Sequence, residues 1–109
     1  MAEIVWTEPA LSQLNDLAEY IALDDPVAAR RLVESVFSKA ERLADCPLSG
    51  RIPPELPGTI YRELVLPPCR IFYRVEEQRV LILFVMRVEQ QLRVFMLENQ
   101  SSRTESRKK

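Results

Sequence analysis

No histidine occurs among the 109 residues, and there are only two cysteines and two glycines. Two cysteines without an imidazole do not make a standard zinc site, which wants four nitrogen or sulfur ligands, so neither a metal nor another cofactor is expected. Cys46 and Cys69 are expected to remain free thiols. No secretory signal is evident in the sequence, and a reducing cytoplasm, the compartment this implies, keeps thiols unpaired. The longest apolar run, Val80 to Met86, is too short to span a bilayer. Strong basicity is lacking too. With a net charge of −1 and an isoelectric point near 5.5, the chain has no footprint of a dedicated nucleic-acid binder. Any attraction to phosphate would have to come from a local patch, and neither sequence-specific nucleic-acid binding nor a small-molecule substrate is expected.

What is present suits one compact domain, since 47% of residues are hydrophobic and 28% charged. A domain of this size buries roughly two thirds of its unfolded surface, enough for a core with little to spare. Charge is distributed unevenly. Residues 1–50 hold nine acids and four bases, whereas 51–100 hold six acids and seven bases, all of them arginine. Planar guanidinium forks suit carboxylate or phosphate better than lysine does, although a solvated sheet face is the simpler reading.

Ile4, Val5 and Trp6 predict a short strand, after which Thr7 caps a helix with Pro9 in its first turn. Leu11, Leu14, Leu17, Ala18 and Ile21 recur at helical spacing, with Gln13, Asp16 and Glu19 facing water and the helix ending near Asp24. Asp25-Pro26 starts a second helix whose stripe runs from Ala29 to Ala44, so the pair forms an antiparallel hairpin. Cys46 to Gly58, with four prolines and both glycines, predicts an ordered irregular loop. Tyr61 to Leu66, Arg70 to Val75 and Val80 to Val88 predict an antiparallel meander, the last strand central and covered on both faces. The fold class is α+β in the order β-α-α-β-β-β. Leu92 to Leu97 is too brief for periodicity to choose between a short helix and an extended segment. The domain is expected over residues 1–98, with a polar, disordered tail over 99–109.

Four strings carry a resemblance. They are Trp6-Thr7-Glu8-Pro9-Ala10, Tyr20-Ile21-Ala22 with Pro26-Ala28-Ala29, Leu43-Ala44-Asp45-Cys46-Pro47 with Ser49-Gly50-Arg51, and Arg62-Glu63-Leu64-Val65 with Arg70-Ile71-Phe72-Tyr73-Arg74-Val75. In this order and spacing they resemble the ParE branch of the RelE/ParE toxin superfamily over residues 3 to about 97. The resemblance implies a toxin of a type II toxin-antitoxin system, neutralised by a ParD-like antitoxin in a hetero-oligomer. It also implies DNA gyrase as the target and a role in growth arrest and plasmid or chromosome maintenance. RelE-like members cut messenger RNA on the ribosome, which requires proton transfer and stabilisation of phosphate charge. Where such relatives carry Arg-His-Gly-Arg-Arg, this chain reads Arg87-Val88-Glu89-Gln90-Gln91. Arginine stays protonated and is a weak general base, so no catalytic residue and no enzymatic activity are expected. Tyr61 and Tyr73 carry hydroxyls, but sheet tyrosines are usually buried. A ribosome-dependent endonuclease and a binding module that has lost toxicity are the alternatives.

Candidate target-binding residues are Arg62, Arg70, Arg87, Glu89 and Arg93; Arg70 and Arg87 could equally pair with carboxylates such as Glu63 or Glu89. Candidates to line an antitoxin groove are Leu23, Val27, Arg31, Ile60, Leu92, Val94, Phe95 and Leu97, with core packing as the simpler alternative for each.

Overall fold

The computed structural model describes residues 1–90 together with Leu92 and Leu97. Strand β1 (Glu3–Trp6) leads directly into helix α1 (Glu8–Ala22), because the Thr7 hydroxyl caps the helix by accepting from Ala10 N. The same hydroxyl donates to the Ile82 carbonyl at 2.8 Å, so one buried side chain both starts the helix and ties it to the sheet. Asp25 caps α2 (Pro26–Glu41) by accepting from Ala28 N, with Pro26 in the first turn, where its missing N–H costs nothing. A 3₁₀ turn, Arg42–Ala44, closes the hairpin.

Strands β2 (Tyr61–Leu66), β3 (Cys69–Glu76) and β4 (Arg79–Arg87) form the expected antiparallel meander. The sheet as a whole is mixed. Its order is β1-β4-β3-β2, with β1 lying parallel to β4 in the register Ile4↔Val80 to Trp6↔Ile82. That placement makes β4 central and buried on both faces, as its unbroken apolar run predicts.

A β-bulge at Phe72/Tyr73 leaves Leu83 as an extra residue on β4 and resets the alternation of its side chains. Val80, Ile82 and Val85 consequently face the helices, packing with Leu14, Leu32, Val36 and Leu43. Leu81, Leu83 and Met86 point to the opposite face, where they meet Tyr61 and Phe72. Each such buried aliphatic side chain contributes roughly 1.5–3 kcal/mol relative to an exposed one. The second face is covered by Leu56 from the loop and by Leu92 and Leu97, which thereby find cover within the chain, while Val88 just past β4 stays exposed. Val94, Phe95 and the 99–109 tail lie outside the described residues. Among those described, no helix is long and apolar enough to cross a membrane.

Candidate functional site

Arg70, on the second face of the sheet, is the most heavily engaged side chain of the strands. Its Nε donates to Glu63 Oε1 at 2.8 Å, Nη2 to Glu55 Oε1 at 2.7 Å, and Nη1 to both Glu55 Oε2 at 2.8 Å and the Gln90 carbonyl at 2.9 Å. The guanidinium carbon lies 5.0 Å from the Phe72 ring centroid, within cation–π range. Only 6% of the side chain meets solvent, and none of Glu63 does. Hydrogen bonds from Arg70, opposed by partial burial and helped by the Leu92 backbone N–H, hold the Glu55 carboxyl down at about 2. The Glu55 bonds in turn push Arg70 upward. Arg70 therefore fastens the proline-rich loop and the chain beyond β4 onto the sheet, with little guanidinium edge left for phosphate.

Further bonds set the path of the loop. The Tyr73 hydroxyl accepts from Gly50 N and donates to the Pro47 carbonyl, both at 2.8 Å. Burial pushes this phenol above its ordinary value. Arg62 Nη1 donates to the Gly50 and Leu48 carbonyls, and Arg51 forms a backbone bridge with Glu63 besides an ion pair at 2.6 Å. At Gly50 a Cβ would stand 2.5 Å from the Tyr73 hydroxyl and 2.7 Å from the Glu63 carbonyl, so the loop can approach the sheet only without a side chain there.

A different surface lies where β1 stops. β1 pairs with β4 only as far as Ile82, which leaves the later part of that β4 edge without a strand. Two glutamine side chains occupy it: Gln13 Oε1 accepts from Val85 N at 2.8 Å, and Gln90 Oε1 accepts from Arg87 N at 3.1 Å. Between α1 and this edge runs a groove of about 380 Å³ whose apolar wall is Leu17, Tyr20, Phe84 and Met86, with Asp16 and Arg87 among its polar lining. Tyr20 is 66% exposed and Leu23, one turn further along, 83%.

The remaining anticipated residues are dispersed. Arg87 pairs with Glu89 at 3.0 Å, both sides of the pair being about half exposed. Val27 lies exposed at the helix corner, Arg31 on the outer face of α2, and Ile60 next to β2 at the far edge of the sheet. Leu92 and Leu97 are buried, while Arg93 falls outside the described residues together with Val94 and Phe95. Sequence reasoning missed Glu55, Gln13, Tyr20 and Gln90. Glu55 left one trace, being the sole acid between Cys46 and Ile60 and thus the sole local counterion for a buried arginine.

A family model described as the ParE toxin of the type II toxin-antitoxin system, parDE, matches residues 4–92. A Sinorhizobium fredii protein carrying the toxin name Y4kP is 44% identical over 92 residues, 81% of this chain and 90% of that protein. Toxin RelE2 of Caulobacter vibrioides is 35% identical over 77 residues, 71% of this chain and 84% of that one. A solved structure of the chromosomal ParDE system from P. aeruginosa superposes with a TM-score of 0.66 at 30% identity, covering 82% of this chain and 98% of its own. The chain is a member of the ParE toxin family of type II toxin-antitoxin systems.

Proposed function

We propose that the chain arrests growth by binding DNA gyrase, stalling it at the cleaved-DNA stage without chemistry of its own, and that a ParD-like antitoxin neutralises it. The state of Arg70 and Tyr73 carries the reading: the groups best suited to grip phosphate or move a proton are committed to Glu55, Glu63, Gly50 and Pro47. Burial also raises the Tyr73 phenol above its ordinary value, which makes its phenolate still harder to form. Harm without chemistry requires a macromolecular partner.

The antitoxin reading draws on the ParDE assembly of the P. aeruginosa relative and on the groove between α1 and β4. An amphipathic segment laid there would cover Tyr20 and Leu23 and find Gln13 and Gln90 already presented at the backbone edge. Purified gyrase should lose supercoiling activity on addition of the chain and regain it when a ParD-like antitoxin is added. Unchanged supercoiling at high excess rejects the gyrase reading, and cutting of messenger RNA on ribosomes would replace it with an endonuclease. A Leu23→Asp, Tyr20→Asp double variant should keep its fold and lose antitoxin affinity by about tenfold or more, as expected when apolar anchors of an interface are removed.

A further inference from the structure

The described side-chain cations divide by whether they have a partner, with Arg30, exposed on α2 outside the groove that the other three line, among the unpartnered ones. The six described arginines from Arg51 onward all have partners: Arg51 and Arg70 on Glu63, Arg62 on loop carbonyls, Arg74 and Arg79 on Glu76, and Arg87 on Glu89. On the outer face of α2 and at the start of the 3₁₀ turn that follows it, by contrast, Arg31, Lys39 and Arg42 form no side-chain hydrogen bond or ion pair among the described residues. They line one shallow groove of about 440 Å³ with Ser35 and Ser38 between them. Glu34 at its rim is the sole acid there, and Leu66 the sole large apolar side chain.

We infer that this face of α2 binds the phosphodiester backbone of duplex DNA without reading its sequence. Positions 31, 35, 38 and 42 are spaced by four, three and four residues, with 39 beside 38, which places them on one side of α2 and the 3₁₀ turn that continues it. From Arg31 to Arg42 the stripe is about 16 Å long, and by axial rise one DNA strand presents about five phosphates over that distance. Arginine, lysine and serine are the side chains that take phosphate oxygens in positioning contacts. An acidic peptide would supply the same charge, but peptide-binding faces rely on apolar anchors. Here Leu66 is the one large apolar side chain in the lining; Val27 and Phe37, exposed elsewhere on α2, are not part of it, and Tyr20, the most exposed apolar side chain of α1, lines the other groove. The charge is also local: Glu8, Asp16, Glu19, Asp24 and Asp25 lie on α1 and the helix corner, and although Glu34 and Glu41 lie on α2, the groove sets three cations against Glu34 alone in a chain of net charge −1. The inference deepens the gyrase reading, since a protein acting at a cleaved-DNA stage sits beside the duplex.

The test is the anisotropy of a short fluorescein-labelled duplex of arbitrary sequence, titrated with the purified chain between about 50 and about 200 mM salt. Three phosphate contacts give a slope of log K on log[salt] of about −2.7. The Arg31→Ala, Lys39→Ala, Arg42→Ala triple variant should bind more weakly by at least about tenfold and flatten that slope, with its melting temperature and antitoxin affinity unchanged. Absence of wild-type binding at the lowest salt, or equal binding by the triple variant, overturns the inference. Loss of antitoxin affinity in the triple variant, with or without loss of duplex binding, assigns the face to an acidic protein segment and overturns it as well. Duplex binding through this face by a chain that leaves gyrase active would sink the gyrase reading alone.

Discussion

Replacing Glu55 by glutamine changes the Arg70 clasp with almost no change of shape. The substitution removes one of two carboxylates from a guanidinium that is 6% exposed, leaving Glu63, which Arg51 already shares. The wild-type carboxyl is held at about 2 against an ordinary 4.5, and each unit of such a shift corresponds to about 1.36 kcal/mol. That is about 3 kcal/mol of stability at neutral pH, reduced to about 2 because 18% of the Glu55 side chain still meets screening water. At about 4 °C per kcal/mol for a domain of this size, Glu55→Gln should melt roughly 8 °C below wild type at pH 7. Because the folded value is depressed, the contribution is complete above about 4.5 and is lost as pH falls towards about 2. Urea titrations of both proteins from pH 7 downward should therefore show two curves converging below about 4.5. Amide exchange at Leu92, whose N–H bonds Glu55 Oε2 at 3.2 Å, should quicken in the variant. A stability difference under about 0.5 kcal/mol at pH 7, within the range of ordinary surface substitutions, would refute the clasp. So would a gap of constant size across the titration.

Two further outcomes check other parts of the fold. Gly50→Ala forces its Cβ against the Tyr73 hydroxyl and the Glu63 carbonyl and should cost about 1–3 kcal/mol by chemical denaturation, as overpacking does; a neutral result would mean that the loop simply moves aside. Burial pushes the Cys69 thiol up to about 11 while Cys46 is exposed, so a thiol reagent at pH 8 should label one cysteine per native chain and two in denaturant.

The periodic elements could be read directly. Apolar spacing and the Thr7 and Asp25 caps placed both helices, and the β-branched and aromatic runs placed β2, β3 and β4 to within about a residue at each end, tighter than usual for such boundaries. Gln13 was assigned to water on helical phase alone. It turns instead to Val85 N, because β1 runs out at Ile82 and the β4 edge needs an acceptor, a demand set by strand pairing rather than by α1. The parallel direction of β1 and the bulge at Phe72/Tyr73 are likewise tertiary facts with no local signature. In the candidate site the pairing of Arg70 with Glu63 is legible as one of two readings, but its second carboxylate is not, because Glu55 reaches it from an irregular loop whose path follows no period. Exposure of Leu23, Val27 and Ile60 fits their place among the candidates, whereas Leu92 and Leu97, offered alongside them, close over the second sheet face.

Because Glu3 to Trp6 have their sheet partners at Arg79 to Ile82, β1 is made before the other three strands of its sheet yet is among the last to be paired. Until the fourth strand is made, neither that ribbon nor the Thr7 tie to Ile82 exists, and the hairpin of helices has no platform to close on. A nascent chain of this order withholds its finished sheet until Arg79 to Ile82 have been made, so β1 waits 76 residues, from Glu3 to Arg79, for its partner.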